Sequence, residues 1–95
     1  MNATTKRENF AGCCLAGADL TGACFAGACF AGANLTGANL TGADLEGADF
    51  EGADLTDACM DGADMTNTDM TNTKLTNTTF HGTDLSKAIW TGAHR

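Results

Sequence analysis

Every fifth residue from Phe10 to Trp90 is a large apolar one, and this register is never lost. The residue two places before each of them, from Leu15 onward, is small: Cys13, then Ala from Ala18 to Ala63, then Thr from Thr68 to Thr83, then Ala88. A period of five matches neither an α-helix at 3.6 residues nor a β-strand at 2. The pattern therefore predicts that the five-residue repeat is itself the structural unit, with two inward side chains per repeat.

The residue two places after each large one has the composition of a turn. It is Gly in twelve of the seventeen repeats, and otherwise Asp57, Asn67, Asn72, Asn77 or Lys87. Gly, Asn and Asp are the residues that tolerate a positive φ. A corner every five residues describes a chain that winds around an axis with one short side per repeat. Lys87 is the corner that this rule does not explain.

The unbroken series of AGADL, TGANL, TGADL and EGADF resembles the pentapeptide-repeat proteins, and the likeness covers residues 9–95, after a polar tail at 1–8. The resemblance implies an all-β fold, a right-handed quadrilateral parallel β-helix in which four repeats make one coil. Seventeen repeats then give a little over four coils. At about 4.8 Å between neighbouring strands, the rod is about 20 Å long.

A twenty-residue coil places residues twenty apart in one column. The four predicted inward columns are Phe10, Phe30, Phe50, Met70 and Trp90; Leu15, Leu35, Leu55 and Leu75; Leu20, Leu40, Met60 and Phe80; and Phe25, Leu45, Met65 and Leu85. The inward threonines at 68, 73, 78 and 83 are expected to donate hydrogen bonds to backbone carbonyls, because a buried hydroxyl needs a partner.

Composition narrows the classes of function. A formal net charge of −7 argues against a protein that binds nucleic acid or an anionic membrane, and favours a basic or neutral protein partner. No apolar run is long enough to span a membrane, and the first ten residues lack the apolar stretch of a signal peptide, so we expect a cytoplasmic protein. Five cysteines without paired spacing indicate free thiols, and no cofactor is predicted.

Acidic residues form the candidate interaction surface: Asp44, Asp49, Asp64, Asp69 and Asp84. The twenty-residue coil stacks Asp44, Asp64 and Asp84 in one column and Asp49 with Asp69 in another. Like charges at strand spacing repel one another, although water and salt reduce the effect. The charge indicates either a solvated coat or a surface that docks on a basic protein.

Two functions follow from these features. The first is a non-enzymatic structural or protein-binding module that acts through its acidic middle coils. The second comes from the resemblance, since some pentapeptide-repeat proteins imitate duplex DNA and protect type II topoisomerases, and it is a short DNA mimic. An enzyme is not expected, because Ser86 is the only serine and no glycine-rich loop opens a helix.

Two further readings of the outward side chains are open. Cys59, Asp61 and His81 supply thiolate, carboxylate and imidazole ligands for a metal. Thr36, Thr56 and Thr76 form an outward threonine column of the kind an ice-binding surface would use, although the repeated TNT triplets place their second threonine inward.

The last coil is the candidate end-to-end contact. A stacked rod leaves the core and backbone of its terminal coils uncovered. Arg95 falls on the next fivefold position, where a charge cannot be buried, so the pattern stops there. Ile89 and Trp90 lie beside this edge, and they are predicted to pair with a second copy or with another repeat protein.

Overall fold

The computed structural model describes residues 8–95, so most of the predicted tail lies outside the described residues. Parallel β-bridges join residues twenty apart, as in the series Asn9, Cys29, Asp49, Asp69 and Ile89. Residues 9–28, 29–48, 49–68 and 69–88 therefore form four successive coils, and 89–95 begin a fifth. The fold is the predicted right-handed quadrilateral β-helix, with single bridges in place of extended strands.

Three backbone hydrogen bonds hold each side of a coil to the next. Phe30 N–H donates to the Asp49 carbonyl at 2.6 Å, Gly32 N–H to the Glu51 carbonyl at 2.8 Å, and Asp49 N–H to the Ala28 carbonyl at 2.9 Å. The same three bonds recur along the rod. A chain with no proline can supply every one of these donors.

Each corner is a four-residue turn that begins at the large residue. Ala33 N–H donates to the Phe30 carbonyl at 3.0 Å, and Gly32 at the third position has φ +68°. A positive φ there is the signature of a type II turn, which requires Gly or Asn. Asp57, Asn67, Asn72 and Asn77 replace Gly with φ between 58° and 62°, as their place in the repeat predicts.

The core is a single stack of large side chains inside the coils. Phe30 and Phe50 are completely buried, with ring centroids 4.7 Å apart and nearly parallel planes. Phe10 stacks on Phe30 at 5.1 Å, and Phe25 meets Phe30 edge to face. Met70 continues the column of Phe30 and Phe50, and Met60 and Met65 are buried in two of the other columns. The predicted columns are confirmed through these coils.

The inward threonines behave as predicted. Three of them donate a hydrogen bond to a backbone carbonyl of the preceding coil, at 2.7 to 2.9 Å. The pairs are Thr68 with Leu45, Thr78 with Leu55, and Thr83 with Met60. Thr73 donates to the Met70 carbonyl of its own turn at 2.9 Å. Among the described residues no buried side-chain nitrogen or oxygen lacks a partner.

The regular coil is interrupted at Leu85–Lys87, which form a 3-10 helix with Asp84 as its N-cap. One prediction is wrong here, because Asp84 does not form a bridge with Asp64. Leu85 lies in the last full coil, where no further described coil covers its column, and is 37% exposed. The physical reason is Lys87, which does not adopt the positive φ of the other corners. No helix in residues 8–95 has the length and apolarity needed to cross a bilayer.

Candidate functional site

The acidic surface lies on two neighbouring sides of the rod. Asp44 forms a parallel bridge with Asp64, and Asp49 forms one with Asp69, so each pair stacks at strand spacing as predicted. Glu46 extends the first pair and Glu51 the second, and in each triad the carboxylate oxygens lie within 4.8 Å of one another. We call Asp44, Glu46, Asp49, Glu51, Asp64 and Asp69 the acidic face.

The aspartates of the acidic face also have a structural role that the sequence did not suggest. Asp64 Oδ1 accepts the backbone N–H of Thr66 at 3.1 Å and its hydroxyl at 2.8 Å. Asp69 does the same with Thr71, while Asp44 and Asp49 accept the N–H groups of Glu46 and Glu51. Where the residue before the large one is Asp or Asn, it thus caps the turn that follows. The signal was present in the sequence as Asp or Asn followed two places later by Thr.

This cap does not require a charge. Asn34 accepts the N–H of Thr36 at 3.0 Å and its hydroxyl at 2.7 Å, and Asn39 bonds Thr41 in the same way. The amide oxygen of Asn has the same geometry as a carboxylate oxygen. The negative charges of the acidic face are therefore not needed for the turns, and a sequence with Asn at these positions would avoid their repulsion.

The turn bonds favour the ionised form of Asp64 and Asp84. The backbone N–H and then the hydroxyl of Thr66 lower the pKa of Asp64, and the charge of Lys87 acts in the same direction. The hydroxyl and then the N–H of Ser86 lower the pKa of Asp84. Donors that bond to a carboxylate stabilise its charged form. These two groups stay negative at neutral pH.

Asp84 belongs to a different local structure from the other four predicted surface residues. Its Oδ1 accepts the N–H of Ser86 at 3.0 Å and its hydroxyl at 2.7 Å, which caps the 3-10 helix. Because the bridge to Asp64 is missing, the predicted column of Asp44, Asp64 and Asp84 ends at Asp64. The structure thus brings together Asp44, Asp49, Asp64 and Asp69 and leaves Asp84 apart.

The proposed metal ligands Cys59, Asp61 and His81 are only partly assembled. His81 Nδ1 lies 3.4 Å from Asp61 Oδ2, and the His81 N–H donates to Asp61 Oδ1 at 2.9 Å. The His81 N–H is the main cause that lowers the pKa of Asp61. Cys59 Sγ lies 3.2 Å from the Thr41 hydroxyl. Within residues 8–95 these three do not form a group whose ligand atoms all lie within 4.8 Å.

The cysteines are free, as predicted, because no two of them are in one column. Cys29 and Cys59 are half-buried, and Cys14 and Cys24 are exposed. Cys13 is in the inward small position but is also exposed, since it lies in the first coil and no earlier coil covers it. The structure does not bring two thiols together for redox chemistry.

The two predicted end-contact residues point in different directions. Ile89 is 50% exposed on the outer wall, where its bridge to Asp69 continues the Asp49 column. Trp90 is half-buried and packs edge to face on Phe80 with ring centroids 5.6 Å apart. It lines a cavity of about 430 Å³ together with Leu75, Phe80, Leu85, Ser86, Ala93 and Arg95.

Comparison with known proteins identifies the repeat. The sequence model of pentapeptide repeats matches residues 9–37, 33–72 and 60–92. A pentapeptide repeat protein from the thylakoid lumen of Arabidopsis thaliana is similar in structure, with 34% identity and a TM-score of 0.70 over 85% of this chain. The chain spans 60% of that protein's length. No functionally curated protein matches the sequence.

Two other solved structures were found to be similar. The pentapeptide repeat protein Rfr23 from the cyanobacterium Cyanothece is 27% identical over 93% of this chain and 67% of its own, with a TM-score of 0.59. QnrB1, a plasmid-mediated fluoroquinolone resistance protein, is 21% identical over 90% of this chain and 44% of its own, with a TM-score of 0.49.

Proposed function

The chain belongs to the pentapeptide repeat family, and we propose that it is a non-enzymatic binding module whose acidic face docks on a basic protein surface. One observation supports this most directly. Asn34 and Asn39 cap their turns as well as the aspartates do, so the stacked charges at Asp44, Asp64, Asp49 and Asp69 serve no need of the coil. Charge that the fold does not need is available for recognition.

The electrostatics of the rod fit such a partner. No Lys, Arg or His occurs between Asp44 and Thr73, and the chain as a whole carries −7, although the charge of Lys87 acts on Asp64. A surface of one sign attracts a partner of the opposite sign and accelerates its association. Because the groups are exposed or half-buried, added salt should weaken this attraction.

A pair of charge-matched variants tests the proposal. The first changes Asp44, Asp49, Asp64 and Asp69 to Asn; the control changes Asp19, Asp54, Asp57 and Asp84 to Asn and reaches the same net charge. Both sets keep the oxygen atoms that the turns use. Proteins captured from the source cell by the wild type should be retained by the control, released by the first variant, and released by salt. Equal capture by all three proteins would refute the proposal.

The second candidate is a short DNA mimic that binds a type II topoisomerase. It is favoured by the paired carboxylates, which stack along the axis of the rod. The rod is about 20 Å long, at about 4.8 Å per coil. That length corresponds to only about six base pairs at 3.4 Å each. Supercoiling and relaxation assays with the wild type and the Asn variant of the acidic face decide this question. No effect of the wild type at micromolar concentration would eliminate the mimic.

We also propose that a second copy contacts the last coil at Ile89 and Trp90. Ile89 occupies a position where the repeat normally has Asp or Asn, and it is half exposed. It lies next to Trp90 at the end of the rod, and an uncovered sheet edge favours pairing with another chain. Sedimentation of the wild type and of the Ile89→Asp and Trp90→Asp variants tests the contact. Asp is a usual residue at position 89 of the repeat, so Ile89→Asp is compatible with the fold. A wild type that is monomeric at all concentrations would rule it out.

A further inference from the structure

The last coil of the described rod exposes more backbone donors than acceptors. Inside the rod, each side of a coil offers two N–H donors and one carbonyl acceptor to the coil that follows, as Phe30, Gly32 and Ala28 do. In the last coil the equivalent groups have no backbone partner among residues 8–95. They are the N–H groups of Phe80, Gly82, Trp90 and Gly92 and the carbonyls of Thr78 and Ala88.

The first coil exposes the complementary set. Inside the rod, the groups that face the preceding coil are the Asp49 N–H, the Asp49 carbonyl and the Glu51 carbonyl. In the first coil the equivalent groups have no backbone partner within the described part of the chain. They are the N–H groups of Cys14, Asp19 and Cys24 and the carbonyls of Cys14, Ala16, Asp19, Thr21, Cys24 and Ala26. Each side of the first coil therefore offers one donor and two acceptors.

This difference selects how the ends of two copies can meet. If two last coils met, each side would bring two donors against a single acceptor, and N–H groups would be left without partners inside the contact. A buried N–H without a partner is costly. A last coil that meets a first coil pairs all three groups of each side, as neighbouring coils of one chain do.

The side chains of the two ends match in the same way. The large residues of the first coil are half-buried, and so are Phe80 and Trp90 in the last, where Leu85 is 37% exposed. Inside the rod these positions stack directly, as Phe30 does on Phe50 at 4.7 Å. The cavity of about 430 Å³ beside Trp90 is the open end of these columns. A further coil would cover it and bury the apolar surface.

Charge favours contact between ends over contact between sides. Residues 49–68 contain six carboxylates and no base, so two rods lying side by side would repel each other. The first coil contains one charged residue, Asp19, and in residues 69–88 Asp69 and Asp84 are balanced by Lys74 and Lys87. Two copies therefore meet the least repulsion when they approach along the rod axis.

We propose that copies of this chain stack head to tail, with the first coil of one copy on the last coil of the next. Such a stack rests on the proposed contact at Ile89 and Trp90 and identifies the first coil as the surface that meets it. Each contact leaves one free end of either kind. A head-to-tail contact that does not close into a ring repeats, so the assembly is an open series.

The spacing of the coil defines the register of the stack. Residues twenty apart lie over each other within one chain. A second copy that is turned by half a turn about the rod axis continues this spacing, with its Phe10 over Phe80 and its Leu20 over Trp90. Its residues 19–25 then cover residues 89–95. Arg95 is exposed, and its long side chain can keep the guanidinium group in water.

Sedimentation of the wild type over a range of concentrations tests the arrangement. An open series predicts an average mass that continues to rise beyond the dimer as the concentration increases. A mass that stops at the dimer would overturn the head-to-tail stack, while the contact at the last coil would stand. A monomer at every concentration would overturn both. Neither result affects the acidic face, which the capture experiment tests separately.

Two blocking variants locate the surfaces. Cys13 and Ala93 occupy the small inward position of one column at opposite ends of the rod, so Cys13→Glu and Ala93→Glu each place a carboxylate in one end. Each variant alone should associate about tenfold or more weakly than the wild type, because contact would bury an unpaired charge. An equimolar mixture should form a one-to-one dimer, since each variant keeps the end that the other has lost.

The control adds the same charge away from the ends. Thr36→Glu is at the outward position where the chain also has Glu46 and Glu51, and it should associate like the wild type. If the Cys13 variant alone associates like the wild type, or if the mixture of two folded variants stays monomeric, the proposal is wrong. Circular dichroism reports whether each variant is folded, and the mass series of the wild type decides the question by itself if one is not.

Discussion

At the scale of single residues, the outward Asp or Asn before each large residue contributes more to the coil than its exposed position suggests. One side-chain oxygen accepts the N–H of the residue two places later and, where that residue is Thr, its hydroxyl as well. Asp54 Oδ1 accepts the Thr56 N–H at 3.0 Å and the Thr56 hydroxyl at 2.6 Å. Such side-chain bonds to the local backbone define a turn. The residues that form the candidate binding surface are therefore also the residues that shape the corners.

The pKa of Asp54 gives a prediction about pH. The Thr56 hydroxyl, then its N–H, and also the charge of Lys74 lower this pKa below 3.8. Because the folded value is the lower one, the stabilisation is complete above 3.8 and is lost as the pH falls through the folded value. Asp54→Asn keeps the turn bond but cannot titrate. Its melting temperature should fall less on acidification than that of the wild type, and an equal fall would contradict the assignment.

The inward hydroxyl of Thr68 gives a prediction about stability. Thr68→Val keeps the shape of the side chain but loses the 2.7 Å bond to the Leu45 carbonyl, which still accepts Ala48 N–H. We expect a loss of about 1 kcal/mol in the free energy of unfolding, the ordinary net value of one such bond. Denaturant titration measures it, with Thr68→Ser as the control that keeps the hydroxyl. A Val variant as stable as the wild type would mean that the hydroxyl is merely tolerated.

At the scale of the element, the corner is what turns a five-residue repeat into a coil. The type II turn places its third residue in the left-handed region, and the three inter-coil bonds of each side follow from that geometry. Where Lys87 occupies the corner, the turn and the inter-coil bonds change together. One residue in five therefore controls the path of the backbone.

Gly42 allows the strain of a corner to be measured alone. Its φ is +70° and no atom lies within 4 Å of the position that a β-carbon would take. Gly42→Ala should therefore cost about 1 to 2 kcal/mol through backbone strain and not through crowding. Gly42→Asn, which resembles the natural corner at Asn67, should lose less. Equal losses in chemical denaturation would show that the left-handed conformation is not the cause.

At the scale of the whole molecule, stability is concentrated in the middle coils. The large residues from Phe30 to Met70 are buried, whereas Phe10, Leu15, Leu20 and Phe25 in the first coil and Phe80 and Trp90 in the last are half-buried. Each coil contacts only its neighbours, so the terminal coils are covered on one side only. The acidic face lies on the best-covered part of the rod, which gives it a rigid support.

This distribution predicts unequal effects of one substitution in two coils. Leu45→Ala removes a completely buried side chain and should cost about 2 to 5 kcal/mol, as in other well-packed cores. Leu20→Ala removes a half-buried one and should cost less than about 2 kcal/mol. Equilibrium unfolding in denaturant compares the two variants. A Leu20 variant as unstable as the Leu45 variant would contradict the picture of a stable middle and weaker first coil.

The sequence by itself determined the five-residue unit, its two inward positions and its corners, because the register from Phe10 to Trp90 is never lost. The resemblance to pentapeptide-repeat proteins supplied the coil of four repeats, and the columns that stack Phe30 on Phe50 follow from that coil. Only the tertiary structure decided that Asp44, Asp49, Asp64 and Asp69 cap their own turns while Asp84 caps a 3-10 helix. Those outcomes depend on side-chain hydrogen bonds and on the strain that a lysine has at a positive φ, energies that a repeat pattern does not encode.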